Sequence, residues 1–167
     1  MELLIPGLIL VALMVWASTK IKKRAADAFE AESIETEIYS LQKPEGFLHV
    51  IGDDEHEFKA YSRDFGEGDN NGVRQATIEI DALPAEQFAS ARDDVLNAAS
   101  DSKIRSSTED SYEIWTDETA NGSPVNVFYK FIRKGDSLYR LRYAVLPASK
   151  DEYSDKVDET LNSFELR

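Results

Sequence analysis

The chain has 167 residues, no cysteine and a formal net charge of −13, from 32 acidic and 19 basic side chains. The lack of cysteine excludes disulfides, thiol nucleophiles and thiolate metal sites. Because so negative a protein repels nucleic-acid phosphates, we expect no nucleic-acid partner.

The N-terminal segment has the pattern of a membrane anchor. Residues 3–17 are apolar over about 15 positions, and extension to Ile21 gives about 19, close to the roughly 20 that a helix needs to cross a bilayer. Trp16 lies one turn before a basic cluster, as suits the membrane interface. The cluster consists of Lys20, Lys22, Lys23 and Arg24. We predict a transmembrane helix with its basic cluster over residues 1–24, in contact with the lipid bilayer through residues 3–21.

The orientation of this anchor follows from its charges. A cleaved signal peptide is the alternative, but it would carry positive charge before the apolar stretch, where this chain has only Met1 and Glu2. Since Lys and Arg are retained on the cytoplasmic side, the pattern predicts an outside N-terminus and a cytoplasmic domain. A periplasmic domain is the alternative, because an assembly partner can override this rule.

A helical stalk is predicted for residues 25–33 (AADAFEAES), which are rich in helix formers. Phe29 is the only large apolar residue of this segment. It either docks onto the domain or makes an external contact, and it is therefore a candidate interaction residue. The remainder, residues 34–167, is long enough for one soluble domain with a single core.

The first half of this domain has the two-residue alternation of strands. A loop rich in glycine and asparagine, residues 66–72, separates two such stretches and predicts a hairpin connection. The expected strands and strand-like segments are 34–41, which runs toward a turn at 44–46, then 47–51, an aromatic-rich segment near 56–65, and 73–82.

Helical spacing appears twice in the second half. Residues 84–99 have an apolar stripe, and Pro84 suits the first turn of a helix. The last helix is predicted to begin at a capping box formed by Ser149 and Glu152. Its apolar face consists of Tyr153, Val157 and Leu161. The strands predicted between the helices lie near 103–107, 111–116, 125–133 and 137–146. Because hairpin turns outnumber crossover connections, the pattern predicts an α+β fold with a mainly antiparallel sheet.

Two short motifs resemble the PsbP-like superfamily. Residues 39–47 (YSLQKPEGF) are similar to its opening, where a first strand runs into Pro-x-Gly-aromatic. Residues 161–164 (LNSF) are similar to its ending, where the last helix runs into Ser-Phe before a short strand. The superfamily includes photosystem II extrinsic proteins, a Ran-binding nuclear transport factor and bacterial lipoproteins. The resemblance implies an α/β/α sandwich around an antiparallel sheet, acting in assembly or binding. The chain departs from it by carrying a signal anchor in place of a cleaved presequence or lipid site.

Candidate catalytic chemistry is sparse. His49 lies in an apolar segment, which favours a structural histidine over a general base. His56 lies in the acidic run 53–57, which offers oxygen ligands and one imidazole, but the spacing matches no defined metal loop and a solvated turn is preferred. The sequence also contains no phosphate-cradling or dinucleotide-binding motif. We therefore predict no catalytic, cofactor-binding or metal-binding residues, and a protein that is not an enzyme.

The last hairpin carries a candidate interaction face. Lys130 on one strand and Arg140 and Arg142 on the other alternate with apolar residues, and we expect the three cations to share one face of the sheet. They either pair with acids across the strands or bind an acidic partner or a carboxylate-bearing ligand.

These patterns predict a single-pass, membrane-anchored interaction or assembly module, an accessory subunit of a larger complex in the bacterial inner membrane, with protein partners. The alternative is a stand-alone membrane-tethered ligand-binding or sensor domain, or a hydrolase built on His56 and nearby carboxylates.

Overall fold

Strands make up most of the domain, as the two-residue alternation predicts. The computed structural model describes residues 13–16, 26–120 and 122–167. In these ranges the strands are β1 (Glu32–Glu35), β2 (Tyr39–Lys43), β3 (Phe47–His49), β4 (Phe58–Ser62), β5 (Ala76–Pro84), β6 (Asp101–Ser107), β7 (Ser111–Ala120), β8 (Ser123–Lys134), β9 (Ser137–Val145) and β10 (Glu165–Leu166). The α-helices of the domain are α1 (Phe88–Ala98) and α2 (Lys150–Ser163).

The strands form two antiparallel sheets. The large sheet has the order β3-β4-β5-β9-β8-β7-β6, and the small sheet has the order β1-β2-β10. Neighbouring strands pair antiparallel throughout the described part of both sheets. The predicted α+β class with a mainly antiparallel sheet is therefore confirmed.

One face of the large sheet packs against α2 and the small sheet. Ile78, Ile80, Leu141 and Tyr143 of the large sheet are fully buried there. The predicted apolar face of α2 is also buried, and it consists of Tyr153, Val157 and Leu161. Burial of this face supplies the hydrophobic free energy that holds α2 to the sheet.

The other face packs against α1. Phe88 is buried and its ring stacks on Tyr112 of β7, with ring centroids 4.4 Å apart. The helix lies on β7 and β8, above buried Ile114 and Phe131. Helices therefore flank the large sheet on both sides, as the sandwich resemblance implies, and polar side chains of β4 and β5 on the α1 side stay partly exposed.

The stretch predicted as one strand over 34–41 is in fact a hairpin. β1 and β2 pair with Ile34 opposite Leu41. The turn between them is stabilised by Thr36, whose Oγ1 accepts hydrogen bonds from the backbone N–H groups of Ile38 and Tyr39 at 3.2 and 2.9 Å. The alternation of the sequence continues through this tight turn, so periodicity alone could not detect it.

The start of α1 differs from the prediction, whereas α2 begins where predicted, with Ser149 as its N-cap residue. Pro84 is the last residue of β5, and α1 begins only at Phe88, after a 3₁₀ turn over Ala85–Gln87. At α2, Ser149 makes no side-chain capping hydrogen bond, so the predicted capping box does not form. Acidic residues in the first turn, Asp151 and Glu152, complement the helix dipole instead.

The segment before β1 is attached to the domain. Gly46 N donates a hydrogen bond to Phe29 O at 2.7 Å, and the ring centroid of Phe29 lies 5.9 Å from the guanidinium carbon of Arg63. Lys43, 1% exposed, donates from Nζ to Glu30 O and, at 2.8 Å, to Phe47 O. Phe29 is therefore attached to the domain through its backbone and its ring is partly buried, while its role as an interaction residue stays a prediction.

The predicted membrane anchor falls largely outside the described residues. Residues 13–16 are helical and exposed, and they include Trp16. Among the residues with described positions, no helix is both long enough and apolar enough to cross a membrane. The basic cluster, residues 20–24, lies outside the described ranges. The span over residues 3–21 therefore stays a prediction.

Candidate functional site

Charged side chains and one tyrosine cover the part of the large sheet that α1 leaves partly exposed. We call this surface the polar face, and it consists of Glu79, Asp81, Glu118, Tyr129, Arg140 and Arg142. Strand register brings its ions together, because Glu79 lies directly opposite Arg142 and Asp81 directly opposite Arg140. Opposite charges at such cross-strand positions attract each other.

Each arginine of the polar face is held by carboxylates. Arg140 donates from Nε and Nη2 to Asp81 Oδ2 at 3.1 and 2.7 Å. Arg142 Nη1 lies 3.2 Å from Glu79 Oε2, and Arg142 Nη2 lies 3.5 Å from Glu118 Oε2. Of the two roles open to these arginines, the structure therefore shows cross-strand pairing with acids.

Tyr129 connects Glu118 to Arg142 within this network of hydrogen bonds. Its hydroxyl donates to Glu118 Oε1 at 2.8 Å and accepts from Arg142 Nε at 3.3 Å. Burial raises the pKa of the phenol to about 12; the nearby Arg142 opposes this rise and Glu118 adds to it. The phenol is therefore protonated at neutral pH and acts as a hydrogen-bond donor, not as a base.

His56 joins the polar face from the loop between β3 and β4. Asp53 Oδ1 accepts hydrogen bonds from the backbone N–H groups of Glu55 and His56, at 2.9 and 3.1 Å, and so shapes this loop. The first of these bonds is the main cause that lowers the pKa of the partly buried Asp53 carboxyl. The loop places His56 Nδ1 2.6 Å from Asp81 Oδ1 and His56 Nε2 3.8 Å from Glu79 Oε1.

A cleft of about 580 Å³ opens beside His56, and its walls include Glu55, Asp81 and Arg140. An imidazole oriented by a carboxylate can transfer protons. In the described part of the chain, however, the polar partners of the imidazole are Asp81 and Glu79, which are carboxylates and not hydroxyl nucleophiles. The arrangement matches a structural ion-pair network better than a nucleophilic active site.

Three possible cation ligands lie in the same loop. One ligand atom each from Asp53, Glu55 and His56 can be placed within 4.8 Å of the others. These groups already have other partners, since Asp53 holds the loop backbone and lies 3.4 Å from Lys59 Nζ, while the imidazole contacts Asp81. A turn is therefore still our interpretation, but the His56 and Asp53 side chains are only 19% and 14% exposed, so this turn is paired internally and less solvated than predicted.

Lys130 does not share the face of Arg140 and Arg142, contrary to our prediction. It lies opposite Leu141 in the β8–β9 register, so its side chain projects from the α2 side of the sheet. Lys130 Nζ donates to Leu161 O of α2 at 2.5 Å and lies 3.9 Å from Glu113 Oε1. Burial lowers the pKa of this ammonium group. Lys130 thus connects α2 to the sheet and does not belong to the candidate interaction face.

A second concave surface lies on the α2 side, and sequence reasoning missed it. We call it the α2 groove; its floor consists of Trp115, Phe128 and Val157, and its rim of Lys103, Arg105 and Lys150. The groove has a volume of about 480 Å³. Its lining residues come from three strands and a helix and are spread over residues 103–158, so only the alternation of Lys103 and Arg105 along a strand hinted at it.

Comparison with known proteins detects the fold but no family. No protein-family model matches the chain, and no curated protein sequence matches it. Solved structures do match. The Ran-binding protein Mog1p of Saccharomyces cerevisiae is 14% identical with a TM-score of 0.54, over 83% of this chain and 96% of that one.

Two further structures have a similar likeness. LpqN of Mycobacterium tuberculosis, described as involved in cell envelope biogenesis, is 10% identical with a TM-score of 0.55, over 82% of this chain and 90% of that one. Cyanobacterial PsbP (CyanoP) of Synechocystis is 9% identical with a TM-score of 0.51, over 83% of this chain and 92% of that one. At such identities the likeness concerns the fold alone, and the chain has a PsbP-like fold.

Proposed function

We propose that this protein is a membrane-tethered, non-enzymatic interaction module, an accessory subunit of a larger complex in the bacterial inner membrane. The observation that carries the proposal is the attachment of the segment before β1. Lys43 and Gly46 hydrogen-bond to the backbone oxygens of Glu30 and Phe29, so this segment is part of the domain and not a free linker. The folded domain therefore extends back to Phe29, five residues after the predicted basic cluster.

The state of the polar face supports a non-enzymatic role. Hydrolysis by nucleophilic catalysis needs a hydroxyl or thiol beside the imidazole. The two nitrogens of His56 instead face carboxylates, with Asp81 at 2.6 Å and Glu79 at 3.8 Å, and the other oxygen of Asp81 accepts two hydrogen bonds from Arg140. The same groups that would form an active site are thus used to hold β5, β9 and the His56 loop together.

The fold supports the proposal only weakly, because one fold hosts many functions. Mog1p is described as Ran-binding, which is a protein-binding activity, and LpqN is described as involved in the biogenesis of a bacterial cell envelope. A protein-binding role at a bacterial membrane is compatible with both descriptions.

The test is purification of the tagged full-length protein in mild detergent, with partners identified by mass spectrometry. We expect stoichiometric partners. Removal of residues 1–24 should release the protein from membranes and lose those partners. A full-length protein that runs alone would contradict the proposal.

The second candidate function is ligand binding or hydrolysis at the cleft beside His56, which has a suitable size and convergent polar groups. Binding or turnover that is present in the wild type and lost in His56→Ala would favour this alternative. A His56→Ala protein that still purifies with the partners of the wild type would favour the interaction module.

A further inference from the structure

The α2 groove combines an aromatic floor with a cationic rim, on a protein whose net charge is −13. We propose that this groove binds an acidic peptide segment of a partner protein, with one bulky apolar side chain on the floor and carboxylates on the rim. The inference rests on the proposed function, because it names the surface and the chemistry through which the interaction module binds.

The floor is apolar surface that the fold leaves accessible from outside. Trp115 and Phe128 project from neighbouring strands on the α2 side, and both are only partly buried. Val157 closes the floor from α2. Aromatic side chains at the centre of a concave surface are the commonest anchoring points of protein interfaces, because they exchange much apolar area with water on binding.

The rim is positive and two of its three cations are available. Arg105 pairs with Asp158 at 2.8 Å, and this pair joins β6 to α2. Lys103 and Lys150 make no salt bridge within the described part of the chain. Lys150 Nζ instead lies 4.6 Å from the ring centroid of Trp115. An incoming carboxylate can therefore take either ammonium group without first breaking an ion pair.

The conformation of β6 brings Arg105 to this rim. The β6–β7 register shifts between Ile104 and Ser106, which makes Arg105 the extra residue of a β-bulge. Bulges redirect a side chain and also discourage an edge strand from pairing with other strands. The bulge thus favours side-chain recognition in the groove over the addition of a partner strand to β6.

The side chain of Trp115 provides a second, independent argument for peptide binding in the groove. Its indole nitrogen is shut off from solvent and has no hydrogen-bond acceptor among the described residues. A buried donor without an acceptor costs about 1–3 kcal/mol. A carbonyl or carboxylate of a bound peptide, arriving as Lys150 moves off the ring, would provide that acceptor.

The charges around the groove favour a short acidic peptide over other anionic partners. The rim carries Lys103, Arg105 and Lys150 against the nearby acids Asp151 and Asp158, so the groove is a positive spot on an acidic surface. A nucleic acid or an extended anionic bilayer would meet the acidic surroundings as well, whereas a short peptide with two or three carboxylates would not.

The test uses the full-length protein in lipid nanodiscs and a random peptide library displayed on phage. The Trp16→Phe variant leaves Trp115 as the only tryptophan, because the chain has two. Selected peptides are then titrated against this variant by tryptophan fluorescence. We expect them to contain acidic residues around one aromatic or large aliphatic residue, to shift the Trp115 emission, and to bind more weakly as salt increases.

The specificity of the effect is checked with charge reversals on a single helix and its neighbouring strand. Lys103→Glu/Lys150→Glu should weaken peptide binding roughly tenfold or more. Lys134→Glu/Lys156→Glu is the matched control, since it changes the net charge equally and both lysines lie outside the groove, Lys156 on α2 beside the Tyr153 ring. It should leave binding within about twofold of the wild type.

Three outcomes would overturn the inference: no selection of acidic peptides, equal binding when the carboxylates are replaced by amides, or equal loss in both charge-reversal proteins. Co-purification separates this failure from failure of the proposed function. If both the wild type and the Lys103→Glu/Lys150→Glu variant retain stoichiometric partners, peptide binding in the groove is refuted but the proposed interaction module is not. If the wild type has no partners, the proposed function itself fails.

Discussion

Asp81 and Arg140 lie directly opposite each other on β5 and β9, and the guanidinium of Arg140 donates two hydrogen bonds to a single oxygen, Asp81 Oδ2. The other oxygen, Oδ1, lies 2.6 Å from His56 Nδ1. One carboxylate therefore connects two central strands and the β3–β4 loop. Its side chain is only 14% exposed, so the interaction is partly shielded from solvent.

Asp81→Asn should destabilise the domain, because the amide keeps the size of the carboxylate but loses its charge. We expect the free energy of unfolding to fall by about 1–3 kcal/mol, the usual range for a partly buried hydrogen bond to a charged group. Urea denaturation followed by circular dichroism measures this change.

Asp64→Asn is the control for Asp81→Asn. Asp64 pairs with Arg63 at 3.7 Å, but both side chains are more than half exposed. Exposed pairs contribute little, so the loss should stay below about 0.5 kcal/mol. Equal losses in the two variants would show that the Asp81 network contributes no more than a surface pair.

The sequence predicted part of the polar face correctly. It failed for a residue whose side of the sheet depends on the residue it pairs with on the neighbouring strand. Arg140 and Arg142 were placed on one face correctly, because residues two apart on one strand always share a face. The face of Lys130 depends on its register with β9, where it lies opposite Leu141, and no sequence pattern states that register. The prediction for Lys130 was therefore wrong.

The α2 groove was missed for a similar reason. Trp115 and Lys150 come together only when α2 packs across the sheet. Their contact depends on where a helix lies relative to strands far from it in sequence. Local periodicity detects each element, as it did for α2 and its buried face, but it does not state which elements meet.

The stability of the protein should fall with alkaline pH in a way that depends on Tyr129. Burial raises the pKa of its phenol from 10.0 to about 12, so the folded state holds the proton more tightly than the unfolded state. The stabilising contribution is complete below pH 10 and is lost as pH rises from 10 to about 12.

Tyr129→Phe removes this titration. Between pH 10 and 12 the free energy of unfolding of the variant should fall less steeply than that of the wild type, by up to about 1.4 kcal/mol per pH unit. Part of the slope remains, because burial also raises the pKa of Tyr39 to about 12. Urea denaturation at several pH values measures both slopes, and identical slopes would contradict the assigned role of Tyr129.

Phe88→Ala should detach α1 from the sheet. The ring is 4% exposed, stacks on Tyr112 and lies 4.6 Å from the guanidinium carbon of Arg133. Loss of a buried phenylalanine costs about 3–5 kcal/mol. Ile104→Ala is the control, since Ile104 is 47% exposed and should cost less than about 1 kcal/mol. A loss below 1 kcal/mol for Phe88→Ala would mean that other contacts hold α1.

Lys43→Met should loosen the segment before β1 and leave the sheets folded. Lys43 is 1% exposed, and this burial lowers the pKa of its ammonium group. Methionine fills the space but donates no hydrogen bond to Glu30 O or Phe47 O. The bond from Gly46 N to Phe29 O should then open more often, and hydrogen exchange of the Gly46 amide should speed up by about tenfold.

Lys59→Met provides the comparison for Lys43→Met. Lys59 also contacts acceptors on the sheet, with Asp53 at 3.4 Å and Glu79 at 3.8 Å, but it lies away from the tether. Its loss should leave exchange of the Gly46 amide as in the wild type. A Lys43→Met protein with unchanged Gly46 exchange would show that Lys43 does not hold the segment before β1. Faster Gly46 exchange together with loss of partners would instead tie the attachment of this segment to assembly.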